Sequence, residues 1–423
     1  RDEVVIPFID IGIPIEYELT RSIATAAKDE KRLKVGVLAT DAKVTGGFNM
    51  QTFQRSPEWR IVAELKKQYD VEEVNADAAI DRTKYHVLLA VLPSSLTQPQ
   101  MRNLVDYVTA GRPVLIFDDP LPVMIPGGLG LAPRLPKPPQ GGGGGGPFGG
   151  RGRPSEPKAD GGKATSLIEA LKIQWDNGQV AWSLNKPHPE FNDLPPEYVF
   201  ITNTGSNSES LYPHSVISSG LQEVVAFFPG SIKLRPVETQ LSKALDKGAI
   251  IIKVNDTTGF PDSGILTIEI KPKPGGTGRI EYVKYGRKTK TTFAELKRGV
   301  SGSVESAWDA DARVKTTHVD NIPLLQTTID SGVHEWEDIT EPGMFTGVSI
   351  KAEPSHGTRD RHGHVVATHI HNENINCIFV ADIDLISDQI FLLRERGLRR
   401  TVDSASLQFD NVTFLLNAVD VLA

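Results

Sequence analysis

Thiol chemistry is almost missing from this chain: one cysteine, Cys377, stands among 423 residues. A lone cysteine has no disulfide partner and cannot build a cysteine metal cage. It also lies inside an apolar run, away from the sharp strand-to-helix turn where a nucleophilic thiol would work. No apolar stretch approaches the roughly 18 residues that a membrane helix needs. The chain opens at Arg1 without a signal-peptide pattern, so it reads as an excised soluble piece of a longer protein whose targeting or anchoring segments lie elsewhere. Positive charge is not in excess either. Lys and Arg number 46 against 53 Asp and Glu, a net charge of −7, which draws neither nucleic acid nor an anionic membrane surface.

Several loop signatures of enzymes are lacking as well. Thr40 to Gly47 holds Gly46-Gly47 but no G-x-G-x-x-G, and the six glycines Gly141 to Gly146 lack the Lys-Ser/Thr ending of a phosphate loop. Ser94-Ser95 has no G-x-S-x-G elbow around it. These absences point away from catalysis and from a bound cofactor.

What is present is an alternation of strands and helices. Leu33–Thr40, Val71–Val74, Val87–Leu92 and Pro113–Phe117 are short apolar runs suited to strands buried on both faces. Between them, Trp59, Ile61, Val62, Leu65 and Tyr69 form one helical stripe with Ser56 as cap, and Met101, Leu104, Val105 and Val108 form another that stops at Gly111. Later strands are expected at Gln179–Trp182, Tyr198–Thr202 and Val224–Phe228, the last extending the same sheet, with short helix Leu167–Leu171 before them. The chain closes with the run Cys377–Ala381 and a helix through Val412, Leu415, Leu416, Val419 and Leu422, capped by Asp410 or Asn411. The pattern predicts an α/β fold with a doubly wound, mostly parallel sheet of the Rossmann or flavodoxin kind.

The organisation reads as residues 1–120 for the first part of this domain, a flexible Gly/Pro-rich excursion over 121–164, and a continuation over 165–245. Residues 246–316 change character to short alternating strands punctuated by Gly, Pro and Asp, an inserted small all-β domain. Residues 317–423 return to α/β.

The strand ends carry the candidate binding residues. Ser94, Ser95, Asp118, Asp119, Asp382 and Asp384 all fall where strands run out at their carboxyl ends, the edge at which open α/β sheets bind ligands. As a catalytic or metal-binding set the carboxylates would have to converge; otherwise they cap helices and turns. Five of the ten histidines crowd into 356–371. His362 with His364, and His369 with His371, are spaced to share a strand face and could hold a metal.

The segments K-V-G-V-L, W-R-I-V-A-E-L-K-K-Q-Y-D-V, V-L-L-A-V-L-P-S-S-L and V-D-Y-V-T-A-G-R-P-V-L-I-F-D-D-P, with the closing D-I-D-L-I-S-D and N-V-T-F-L-L-N-A-V-D-V-L, resemble the auxiliary, substrate-binding-protein-like components of ABC transport systems associated with gliding motility. A related domain occurs in an intraflagellar transport protein. Residues 247–315 resemble a small β repeat of phage-tail-like surface proteins. The resemblance implies a non-catalytic binding or scaffold component on the extracytoplasmic, periplasmic face, held at the membrane by segments outside this chain. Its implied partners are ABC permease or ATPase subunits, with a small molecule or polysaccharide as ligand. The alternatives are a carbohydrate-active or metal-dependent hydrolase or sugar-binding domain using the strand-end carboxylates, and a purely structural surface protein built on the β module.

Overall fold

Ten strands form one mixed sheet in the larger of two compact units. The computed structural model describes residues 32–49, 54–137, 156–203, 210–234, 237–258, 260, 262–270, 279–300, 303–316, 321–344, 346–352, 354, 359–360, 363–392 and 409–423. The stretch Tyr17 to Lys28, whose sequence has a helical look, and the glycine run at 141–146 lie outside these residues.

The sheet strands are β1 (Lys34–Leu38), β2 (Asp70–Val74), β3 (Val87–Val91), β4 (Pro113–Phe117), β5 (Gln174–Ser183), β6 (Gly230–Lys233), β7 (Asn321–Gln326), β8 (Ser331–Glu335), β9 (Val365–Asn372) and β10 (Ile375–Val380). Their order is β8-β5-β6-β9-β10-β4-β3-β1-β2, and β7 also pairs with β9. From β2 to β10 every pairing is parallel. From β10 through β9, β6 and β5 to β8 every pairing is antiparallel. The mostly parallel, doubly wound sheet is therefore replaced by a half-parallel, half-antiparallel one. The reason is local: β9 and β10 are joined by a tight connection at Glu373-Asn374, which only an antiparallel pair can use.

β3 reads V-L-L-A-V with every residue buried, and β10 is buried from Cys377 to Val380, as expected for strands covered on both faces. Burying each large apolar side chain of this kind contributes about 1.5–3 kcal/mol. The cover includes α1 (Arg60–Gln68) and α2 (Gln98–Val108) between parallel strands, α3 (Thr165–Leu171) packed on α2, and the closing α4 (Asn411–Leu422) packed on β4 and β10. Gly111, at φ +72°, follows α2 and donates to the Val108 carbonyl, so that helix ends where expected. Ser56 does not cap α1. It sits in a short strand, Gln54–Ser56, paired with Gly47–Asn49, and the helix begins four residues later behind Trp59.

Two further expectations change. Glu223–Phe227 does not extend the main sheet but pairs with Tyr198–Thr202 as a separate hairpin-like layer. Residues 121–137 and 156–164, expected to be a flexible excursion, are built into the unit, with Leu121, Ala132 and Ala159 fully buried.

The smaller unit spans Leu234–Ile322. A five-stranded sheet runs in the order Val237–Gln240, Arg313–Thr316, Gly264–Ile270, Arg279–Tyr285 and Lys297–Val300; Ile251–Lys253, Thr292–Ala294 and Arg287–Lys288 form a second sheet. Leu266, Ile268, Val283, Tyr285, Phe293 and Trp308 fill its core. Within that core Glu281 accepts from Arg298 Nε at 2.6 Å, Arg298 Nη2 at 2.8 Å, Trp308 Nε1 at 2.6 Å and the Ser306 N–H at 3.1 Å. Burial opposes the Glu281 charge, but these donors win and hold its carboxyl below the usual range.

Candidate functional site: a buried carboxylate clasp at the sheet edge

β4 and β10 are adjacent and parallel, with Phe117 opposite Val380. The acidic residues that follow each strand are therefore delivered to one place, although about 260 residues separate them in the chain. Asp119, Asp382 and Asp384 offer carboxylate oxygens that all lie within 4.8 Å of one another, and all three residues are inaccessible to solvent.

Each of the six oxygens accepts one backbone N–H. Asp119 takes Leu121 at 2.7 Å and Ile383 at 2.9 Å. Asp382 takes Leu385 at 3.1 Å and Phe227 at 2.8 Å, and Asp384 takes Met124 at 2.9 Å and Val123 at 2.7 Å. Three segments are thereby tied together: the chain after β4, the chain after β10, and the strand Glu223–Phe227. Oxygens of the Asp119 and Asp382 carboxyl groups lie within 4.8 Å of each other, a crowding of like charges that a shared proton relieves. Burial pushes the Asp382 carboxyl up to about 7. Asp119 is raised well above the ordinary carboxylate range by burial and then by the charges of Asp384 and Asp382, and Asp384 by burial and then by the charge of Asp382. The donor set suits a proton, since every oxygen already faces an N–H dipole and no solvent reaches it. As a cation site it would need three ionised carboxylates inside a closed interior.

Asp118 is equally closed off. It accepts the Ser94 N–H at 3.0 Å and the Ser94 hydroxyl at 2.7 Å, and burial raises it to about 7. The Ser95 hydroxyl donates to the Leu92 carbonyl at 2.8 Å and accepts the Asp41 N–H at 3.1 Å. With the Thr40 hydroxyl on the Val91 carbonyl at 2.6 Å, these bonds close the crevice between the carboxyl ends of β1 and β3. All six residues expected at a contact surface lie in the interior. A small cavity of about 220 Å³ at the carboxyl end of β1 is lined instead by Thr40, Lys43, Thr45, Gly46, Ser56 and Glu73.

Leu92 carries φ +58° where β3 turns into the Pro93-Ser94-Ser95 segment. For a bulky residue this is a strained conformation, of the kind that presents a nucleophile in strand-turn-helix hydrolases. Here the residue is a buried leucine. Cys377 lies within β10, where burial drives its thiol far up, away from reactivity.

The histidines divide. His362 lies outside the described residues. His364 is buried, with Nδ1 3.1 Å from the Ser231 hydroxyl and Nε2 3.0 Å from Asp360. His369 and His371 share the side-chain oxygen of Asn376 at 3.2 and 3.3 Å, their rings 5.7 Å apart. Among the described residues, the group of three or more ligating side chains within reach of one ion is the aspartate set.

Sequence reasoning found Asp410 and Asn411 only as alternative caps of the closing helix. Asp410 does hold the N-cap position of α4, without a side-chain cap bond, and both residues also complete the clasp. Asn411, read as a helix cap, instead accepts the Val225 N–H and donates to the Val225 and Leu385 carbonyls. Asp410 accepts from the Gln222 and Glu223 N–H groups. Their position before an apolar helix signalled a cap, but the neighbouring strand took their polar atoms. Lys158 was unseen: its ammonium donates to the Ala132 carbonyl at 2.8 Å, and burial lowers it to about 8.

The family model described as an ABC-type uncharacterized transport system matches residues 32–244, half of the chain. A search of curated proteins finds no match. The matched span begins just before β1 and holds β1 to β6, α1 to α3, Ser94, Leu92 and the Asp118-Asp119 pair. The chain thus belongs to the ABC-type uncharacterized transport system family and has its role in such a system.

Proposed function

We propose that this protein is a non-catalytic binding or scaffold component of its transport system, working at the extracytoplasmic face alongside permease or ATPase subunits, as in gliding-associated systems. The observation that carries the reading is the state of the strand-end carboxylates. Their oxygens are committed to backbone N–H groups and sealed from solvent, so they hold the scaffold rather than attack or coordinate a substrate. The buried leucine at the strained turn after β3 supports the same reading.

The test is affinity capture from native membranes with this chain as bait, read by mass spectrometry. Recovery of a permease or ATPase subunit of an ABC system is the expected outcome. If only soluble proteins return from membranes that contain such a system, the scaffold assignment is overturned.

A further inference from the structure

A second cavity, about 540 Å³, lies away from the carboxylate clasp, where β5 ends and the loop through Pro196 begins. Its volume falls within the range of small-molecule sites, roughly 300–1,000 Å³. Trp182, Leu184, Leu194 and Pro196 give it apolar walls, and Lys186 and Arg359 also line it. Among the described residues, no Asp or Glu lines it. In a chain of net charge −7, two cations facing one cavity without a carboxylate is a local reversal of sign.

The lysine is held in place. Its Nζ donates to the Tyr198 carbonyl at 2.6 Å and the Pro195 carbonyl at 3.0 Å and stands 5.3 Å from the Phe200 ring centre. Those two bonds use two of its three N–H donors and leave its charge without a partner carboxylate in contact. Glu197, whose charge acts on it from a distance, is buried against His334 Nε2 at 2.8 Å. Arg359 is exposed and forms no ion pair among the described residues. A cation fixed by two carbonyls and an exposed one, both lining a largely apolar cavity, suit a ligand with one anionic end and an apolar body.

We propose that this cavity binds a small amphipathic monoanion, its acidic group held by Lys186 and Arg359 and its apolar part against Trp182, Leu184 and Leu194. The site stands apart from the transport assignment and from the clasp, so it can fail without either.

Octanoate is a suitable probe, with octanol and octylamine as its neutral and cationic counterparts, titrated calorimetrically into the full chain. Saturable binding of octanoate at one site, with octanol at least about tenfold weaker and octylamine silent, is expected. The exposed variant R359E should weaken octanoate about tenfold or more while leaving the melting temperature unchanged. L184E places a carboxylate in the cavity and should abolish octanoate binding. Absence of saturable octanoate binding up to millimolar concentration, octanol binding as tightly as octanoate, or indifference to both substitutions would each overturn the proposal.

Discussion

At the scale of single residues, the aspartate clasp makes two predictions. Replacing Asp119 by alanine strands the Leu121 and Ile383 N–H groups in a dry interior. Each orphaned donor costs about 1–3 kcal/mol, partly offset by relief of the crowding with Asp382 and Asp384. Urea unfolding should show D119A less stable by about 2–4 kcal/mol; a loss below about 0.5 kcal/mol would mean those bonds are not made in solution. The second concerns pH. Asp118 and Asp382 keep their protons in the folded state up to about 7, whereas unfolded carboxyls ionise near 4. A folded carboxyl raised in this way contributes stability that is full below about pH 4 and lost as pH rises through about 7. The melting temperature should therefore fall between pH 5 and pH 8. D382N carries no titrating proton, so its deficit relative to wild type should narrow over the same interval; a deficit that stays constant would deny the raised carboxyl.

At the scale of elements, the buried Glu281–Arg298 pair is the polar centre of the five-stranded sheet. Removing one partner of such a pair costs about 3–5 kcal/mol, because the other charge stays buried alone. R298M should melt residues 234–322 early while the large sheet keeps its transition, which hydrogen exchange resolved by segment would show. Element boundaries were largely legible in the sequence: Pro113–Phe117 and Tyr198–Thr202 coincide with their apolar runs, because a short unbroken β-branched run between turn residues has few other solutions. Pairing was not legible. Glu223–Phe227 reads as well for a central strand as for the separate layer it joins, and nothing local in Val365–Asn372 announces the antiparallel half. The acidic residues were placed correctly at strand ends, but their convergence depends on β4 meeting β10, a contact written in no window of sequence. Ser56 failed as a cap because a two-strand turn claimed it first.

At the scale of the whole molecule, β6 leads out of the large sheet, β7 leads back in, and both pair with β9. Exit and return therefore share one strand's edge, the arrangement in which an intervening segment can be removed with little loss. Replacing residues 235–321 by a short Gly/Ser linker should leave the large unit folded, with one cooperative thermal transition and unchanged octanoate binding. An aggregated or non-cooperative product would show that the two units depend on each other to fold.

The adjacency of β4 and β10 has a further consequence for biogenesis. During synthesis, β1 to β4 can assemble early, but the edge of β4 waits for β10, about 260 residues downstream. At roughly 5–20 residues per second, that apolar edge stays open for on the order of 10–50 s of translation. A nascent chain in this state is sticky and slow to finish, the position of high-contact-order proteins generally. Its dependence on holding factors should therefore be set by β10, the strand that seals the sheet.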